Sequence, residues 1–412
     1  MTPEEFTARY MPQFSEQQKA AVRETEGPVL LLAVPGSGKT TVLVTRLGYM
    51  ALCRGIDPAH ILAVTYTVAA TRELRARFTA RFPELAGQTP EFRTINGLSS
   101  KIIEACGRQR GPAFALQENA GELAALVGRI YQALNGDYPT DSTIREVRTA
   151  ITYCKNMMLS ADEIAAQDFG LPRFSELYTH YCAALREARQ MDYDDQMAYA
   201  LAILRKQPEI LAEFQARYPY LCVDESQDTS RVQHAIIELL AKKTGNLFMV
   251  GDEDQSIYGF RAAYPQALMD FEQVYPGAQV LLMEENYRSS EEIVAAANAF
   301  VARSRYRRPK ILRATQGAQC PIVIRHITRR EEQIDWLFEE ARRGGGETAV
   351  LFRNNESALP LVDMCERRGV PYRFKKADLT FFTHKIVLDA VDFLRFAYEP
   401  ANGERFLRLY YK

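Results

Sequence analysis

An α/β fold built on a parallel sheet follows from three features of this chain. The first is the glycine-rich turn Ala33-Val-Pro-Gly-Ser-Gly-Lys-Thr40, set between the apolar run Val29–Leu32 and an amphipathic helical stretch. The second is Leu221-Cys-Val-Asp-Glu225, an apolar run that ends on two carboxylates. The third is the alternation of short apolar runs with helical periodicity over residues 29–104, the pattern of strands joined by covering helices.

The glycine-rich turn has the chemistry of a phosphate loop. Gly36 and Gly38 allow a tight turn that aims backbone N–H groups at a polyphosphate, and Pro35 stiffens its entry. Lys39 can reach the outer phosphates, and the Thr40 hydroxyl can ligate Mg²⁺. The first position is Ala33 where the strict pattern has glycine. Asp224 and Glu225 have the form of a Walker B strand end, with Asp224 on the metal and Glu225 orienting and deprotonating the attacking water. Together the two segments predict binding and hydrolysis of a nucleoside triphosphate.

Composition narrows the alternatives. A chain of 412 residues suits two or three domains. Its net charge of −1 provides no global basic field, so nucleic acid would have to be held by local patches and aromatic platforms. The seven cysteines include no CxxC pair and the five histidines are isolated, which argues against a zinc site or a disulfide framework and for a reducing cytoplasm. The chain opens on a polar segment rather than a signal peptide, and no apolar run approaches membrane-spanning length.

The strands expected first are Val29–Ala33, Ile61–Thr67 and Glu91–Thr94, with helices over Thr40–Cys53 and Ala69–Phe82. The long interval from Lys39 to Asp224 carries helical periodicity at Ala120–Tyr131, Ser142–Met157, Phe174–Gln190 and Gln196–Arg205. It reads as an inserted helical subdomain. Strands resume at Tyr220–Asp224, Asn246–Gly251 and Val280–Glu284. A further strand–helix series follows: Ile322–Ile327, a helix from Arg329, a turn at Gly344–Gly346, Thr348–Phe352, a helix through Arg368, and Pro371–Phe374. The predicted division is residues 1–106 and 206–279 for the first core, 107–205 for the insertion and 280–412 for part of a second α/β domain. The basic stretch Arg303, Arg305, Arg307, Arg308, Lys310 and Arg313 is expected to be a solvated face rather than a track for a nucleic-acid backbone.

Further segments carry candidate chemistry, some with a plainer alternative. Gln255, at a strand end in Val250–Arg261, can sense a γ-phosphate through its amide; Tyr258 and Phe260 in the same loop either stack on bases or pack at a domain interface. Tyr287 can cover an adenine ring and Arg288 can reach a phosphate with its fork of donors. Ser15 and Gln18 fit a capping box, and contact with a purine edge is the functional alternative for Gln18. Tyr66 is a stacking platform or a core residue, while Thr94 and Asn96 end a strand where they can bond a backbone phosphate.

In order, spacing and wording these segments resemble the UvrD/Rep/PcrA family of superfamily 1 DNA helicases. Gln18 resembles its Q motif, Gly36–Thr40 motif I, Ile61–Thr67 with Arg72-Glu-Leu74 motif Ia, and Thr94–Gly97 motif Ib. Val223–Thr229 with Gln233 resembles motif II, Val250–Arg261 motif III, Asn286–Ser289 motif IV, and Met191–Asp195 the Leu-Asp-Phe-Asp-Asp signature. The resemblance implies two RecA-like cores with ATP and Mg²⁺ between them, and 3′-to-5′ movement on single-stranded DNA or DNA with a 3′ single-stranded tail. It implies a nucleotide site of Gln18, Ala33, Val34, Pro35, Gly36, Ser37, Gly38, Lys39, Thr40, Thr41, Tyr287 and Arg288, with Gln255 and Arg288 sensing the γ-phosphate. It places Tyr66, Thr94, Asn96, Tyr258, Phe260 and Arg261 on DNA. Repair or replication proteins are the partners it implies, and a cytoplasmic, nucleoid-associated location.

The departures are Thr41 in place of arginine, Val68-Ala69 in place of Asn-Lys, and Phe260 in place of tryptophan. No segment matches motif V or VI, which would supply an arginine from the second core, so a shortened chain with weak hydrolysis of its own is expected. The alternative function is a non-catalytic, nucleotide-gated DNA-binding module; Glu225, which a pure binder does not need, speaks against it.

Overall fold

In the computed structural model, residues 1–111, 114–344, 346–374 and 385–410 are described. The strands are β1 (Val29–Ala33), β2 (Ile61–Thr65), β3 (Glu91–Thr94), β4 (Ala115–Leu116), β5 (Gln190–Met191), β6 (Tyr220–Val223), β7 (Leu247–Gly251), β8 (Gln279–Met283), β9 (Glu285–Asn286) and β10 (Arg313–Ala314). Six of them form one sheet in the order β3-β2-β6-β7-β1-β8, and every pairing in it is parallel.

The sheet is buried on both faces, which explains why β1 and β7 read as unbroken apolar runs. Alternate residues serve alternate cores. Leu30, Leu32, Leu62, Val64, Leu221, Val223 and Met249 pack with the helices Ile95–Arg110, Tyr193–Lys206 and Arg231–Ala241. Val29, Leu31, Ile61, Ala63, Cys222 and Phe248 pack with the helices on the other side, including Lys39–Leu52 and Val68–Arg81. Because β1 lies between β7 and β8, and β6 lies beside β7, the carboxyl ends of β1, β6 and β7 open at one edge of the sheet.

Several element boundaries shift by a few residues, and two differences from expectation bear on the site. β2 ends at Thr65, because the Thr67 side chain accepts from Ala70 N and starts the helix Val68–Arg81. Tyr66 therefore leaves the sheet. The strand at Gln279–Met283, assigned by sequence to the second domain, instead pairs along its full length with β1.

The insertion has its own apolar core, containing Val127, Val147, Ile151, Phe174 and Leu177. Its ends are joined where β4 pairs with β5. The helix Tyr193–Lys206, expected within the insertion, packs instead in the core beside the sheet, and a buried polar network fixes the insertion to it. Asp192 caps that helix by accepting from Asp194 N and Asp195 N. Lys155 Nζ lies 2.7 Å from both Asp192 Oδ2 and Asp195 Oδ1, and Tyr181 donates to Asp192 Oδ2 at 2.9 Å. Thr152 and Asn156 donate to Asp194 at 2.8 and 2.7 Å. The Met191–Asp195 signature is thus the junction of two helical layers.

The chain divides into two compact units, Met1–Ile322 and Val323–Lys412. The second unit contains the helices Arg330–Arg343, Asn355–Arg367, Lys385–Tyr398 and Gly403–Tyr410. Among its described residues, the stretches expected as strands at 322–327, 348–352 and 371–374 carry no ladder. A strand exists only with a partner, and these stretches form no hydrogen-bonded pairs with one another. Gly345, within the expected turn, lies outside the described residues.

Lys155→Met leaves Asp192 and Asp195 buried without their cation. It is expected to cost about 3–5 kcal/mol of stability, read as a lowered denaturant midpoint; an unchanged midpoint would show that the network does not hold the insertion.

Candidate nucleotide site and aromatic groove

The phosphate loop leaves β1 at Ala33 and ends on the helix Lys39–Leu52. Gly36 and Gly38 take φ of 71° and 83°, left-handed values that a side chain resists. Gly38 caps the helix and gives it no side-chain hydrogen bond, so the N–H groups of the first turn face the loop's concavity as an anion site.

The loop's carbonyls are tied away from that concavity. Val34 O accepts from Ser37 Oγ at 2.7 Å, and Pro35 O accepts from Asn286 Nδ2 at 2.7 Å. Gly36 O accepts from Tyr287 N at 3.0 Å. Ser37 O accepts from Gln18 Nε2 at 2.9 Å. With its acceptors turned outward, the loop presents donors inward, as a polyphosphate requires.

Gln18 and Asn286 do this through distant helices and strands. Gln18 is buried and completes a capping box, its Oε1 accepting from Ser15 N at 3.0 Å. The cap and the loop contact use the same amide. Asn286 is 3% exposed, and its Oδ1 also accepts from Arg288 N and Ser289 N at 2.9 and 2.8 Å. Gln17 Oε1 takes Glu284 N at 2.9 Å, joining the same two segments. A Cβ on Gly36 would lie 2.9 Å from Arg288 Cβ and 3.0 Å from Asn286 Nδ2. Arg288 and Tyr287 therefore sit directly against the phosphate loop. The Tyr287 hydroxyl donates to Glu285, and the ring is 37% exposed.

Across the loop, Lys39 Nζ lies 3.7 Å from Glu225 Oε2. Glu225 has φ 50° and ψ 45°, a left-handed conformation uncommon for a residue with a side chain. Gln227 Nε2 donates to Glu225 Oε2 at 2.7 Å, and Gln227 Oε1 accepts from Asp252 N at 3.0 Å. Burial, reinforced by the neighbouring Glu225 charge, pushes the Asp224 carboxyl up to about 7, against the pull of Lys39. Asp228 is pushed up to about 6 by burial and by Glu225. Asp224 and Asp228 are thus left short of positive charge, and among the described residues no three acid, histidine or cysteine side chains converge to hold a metal ion by themselves. Thr40, at the start of the helix, is half-buried.

Gln255 belongs to the loop after β7, and its Nε2 donates to Asp252 Oδ2 at 2.7 Å. The acidic run Asp252, Glu253 and Asp254 meets the basic stretch expected at a solvated face. Lys310 is buried with its Nζ 2.9, 2.6 and 3.1 Å from those three carboxylates. Arg307 grips Asp254 in a two-pronged ion pair, with Nη2 2.9 Å from Oδ2 and Nε 3.1 Å from Oδ1. Arg308 pairs with Glu272 at 2.8 Å. Only Arg303, Arg305 and Arg313 keep the expected exposure. Charge patterning missed this because the partners lie on other elements, 36 residues or more upstream.

The same loop continues to a row of aromatic rings. Tyr66 and Tyr258 stack at 5.9 Å between centroids, and Tyr258 meets Phe260 at 6.0 Å. Phe260 is 58% exposed. A groove of about 590 Å³ lies beside Tyr66, with Thr94, Asn96, Asn156 and Tyr193 in its walls. Thr94 Oγ1 caps the helix Ile95–Arg110 by accepting from Gly97 N, and Asn96 Nδ2 donates to Tyr193 O at 3.2 Å. A second groove, about 560 Å³, runs between Phe260 and the helix Asp141–Asn156. Tyr193 was missed by sequence reasoning as a site residue; its place inside the Asp-Tyr-Asp-Asp signature was the available signal. The Arg261 side chain lies outside the described residues.

Comparison with known proteins bears on both features. Residues 14–276 match the family model of the UvrD/REP helicase N-terminal domain, and residues 281–412 match that of the UvrD-like helicase C-terminal domain. The ATP-dependent DNA helicase PcrA of Leuconostoc citreum is 32% identical over 406 residues, which is 96% of this chain and 54% of that protein. The ATP-dependent DNA helicase UvrD1 of Mycobacterium tuberculosis (strain ATCC 25618 / H37Rv) is 31% identical over 421 residues, 95% of this chain and 53% of its own. PcrA of Bacillus subtilis (strain 168) is 30% identical over 407 residues, again 95% and 54%. The chain therefore spans about half the length of the curated relatives it matches.

Gly36→Ala places a methyl group against Arg288 and Asn286 and strains a left-handed residue. A loss of about 1–2 kcal/mol, seen in the denaturant midpoint, is expected; an unchanged midpoint would mean that the two segments are not held together as described.

Proposed function

The chain belongs to the UvrD/REP helicase family, and on that premise we propose that it is the ATP-hydrolysing, DNA-tracking part of an ATP-dependent helicase or translocase moving 3′ to 5′ on single-stranded DNA. The observation that carries this reading is a single loop, residues 252–260. Its Gln255 amide bonds Asp252, which reaches Glu225 through Gln227, and its stacking rings, Tyr258 and Phe260, stand at the other end.

Within this reading the inward N–H groups and Lys39 hold the β- and γ-phosphates. Thr40 and Asp224 would hold Mg²⁺, which neutralises charge between the phosphates. Glu225, held by Gln227, orients the attacking water and takes its proton. Arg288 and Gln255 approach the γ-phosphate, Tyr287 covers the adenine, and Gln18 is placed at its edge while also pinning the loop. Thr41 lies one residue further into the helix.

DNA would lie along the aromatic row. Tyr66, Tyr258 and Phe260 offer π-faces that accept any base, and Thr94, Asn96 and Arg261 supply polar contact to the backbone. Tyr193 extends the platform on the insertion side. A chain of net charge −1 is suited to this mode, since stacking needs no large basic field. Exchange between nucleotide-bound and free states would shift the loop at both ends together. The proposed setting is cytoplasmic and nucleoid-associated, with repair or replication proteins as partners. No described helix is long and apolar enough to cross a membrane.

The test is ATP hydrolysis with and without oligo-dT, in the chain and in Glu225→Gln. Hydrolysis that is weak in this chain but raised by DNA is expected, with a loss of roughly 100-fold or more in the variant, the scale of a catalytic proton-transfer group, while ATP binding persists. Equal turnover in Glu225→Gln would refute the assigned base. Hydrolysis indifferent to DNA would refute the coupling.

A further inference from the structure

We infer that Lys310 is the positioning residue that links the nucleotide end of this site to its DNA end, an inference that rests on the proposed function. Its side chain is 0% exposed and its ammonium group lies within 3.1 Å of three carboxylates, Asp252, Glu253 and Asp254. A fully buried lysine facing three acids is far outside the ordinary use of surface charge, and such a cluster holds a single geometry or none. Arg307 completes it, donating to Asp254 through two nitrogens and to Lys310 O at 3.1 Å.

What Lys310 touches decides what it does. Asp252 has its Oδ1 on Lys310 and its Oδ2 on Gln255 Nε2, so the ammonium fixes the carboxylate that aims the Gln255 amide. The backbone N–H of the same Asp252 donates to Gln227 Oε1, and Gln227 Nε2 holds Glu225. From Lys310, then, one aspartate leads to both Gln255 and the carboxylate assigned to the attacking water. Four residues beyond Asp254 stands Tyr258, stacked on Tyr66. The same loop thus carries both the acids that Lys310 grips and the stacked ring.

The segment carrying Lys310 is also tied to the phosphate loop. Arg313 and Ala314 of β10 pair with Glu285 and Asn286 of β9, and Thr315 N donates to Asn286 O at 3.1 Å. Asn286 is the residue that holds Pro35 O. Lys310 therefore closes a circuit from the phosphate loop, through Asn286 and β10, to the loop that bears Gln255 and the stacking rings. It touches neither ligand in this arrangement, so it acts by position.

The expected consequence is a change in coupling rather than in binding. Coupling is the factor by which a bound nucleotide alters DNA affinity, and it is reciprocal between the two ligands. The experiment measures the dissociation constant of fluorescent oligo-dT with and without a non-hydrolysable ATP analogue and Mg²⁺, in the parent chain, Lys310→Met and Arg307→Gln. The parent is expected to show a ratio of about fivefold or more, the lower range of typical allosteric coupling. Lys310→Met should bring that ratio close to one, with each ligand's separate affinity kept within about threefold. Arg307→Gln, at the rim of the cluster, should reduce it partly and keep the fold if the buried substitution does not. A parental ratio retained in both variants would overturn the inference and leave the proposed function standing. Parallel loss of both separate affinities would assign Lys310 a purely structural role and overturn it as well. A parent that binds neither ligand would defeat the proposed function itself, and the inference with it.

Discussion

Two side-chain amides, Gln18 and Asn286, take the carbonyls of Ser37 and Pro35, and the rest of the site depends on that restraint. A glycine-rich loop has as many acceptors as donors, and nothing in its own sequence says which set faces a ligand. Here four of those acceptors are bonded by neighbours, and the N–H groups of the first helical turn are left to face an anion. Each amide comes from a segment far away in sequence, and each arrives only because β8 pairs beside β1 and the helix Glu16–Arg23 packs over the sheet. Sheet order, loop conformation and ligand chemistry are thus one constraint stated at three scales.

The same economy of contacts appears on the far side of the site. The acids after β7 would repel one another without Lys310 and Arg307, and with them they form a fixed support for Gln255. Among the described residues the acids at the end of β6 share one ion pair, with Lys39, and burial pushes Asp224 up to about 7. One acidic cluster is complete and the other is short of a cation. That contrast separates a structural charge cluster from a site that takes a ligand.

Much of this was legible in the sequence, and the limits have physical causes. The continuous apolar runs of β1 and β7 are the mark of strands buried on two faces, and the glycines with Lys39-Thr40 mark a phosphate-facing turn. The capping box of Ser15 and Gln18 was legible because its partners are three residues apart. The role of Asn286 was not, because it acts through a contact across about 250 residues. The burial of Lys310 was hidden for the same reason: charge patterning reads neighbours in sequence, and its partners lie on another loop. The stretches at 322–327 and 348–352 have strand-like composition, but composition cannot supply a ladder partner.

The measurement that tests the central claim most directly is calorimetric titration of a non-hydrolysable ATP analogue with Mg²⁺ into the chain and into Asn286→Ala. Asn286 meets the loop's carbonyl and not its concavity, so the variant alters how the loop and the adjoining Arg288–Ser289 backbone are held. One-site binding by the parent, weakened about tenfold or more in the variant, is the predicted result, a loss of about 1.4 kcal/mol or more of binding free energy. Equal affinity in the two, or no binding by the parent, would contradict the account.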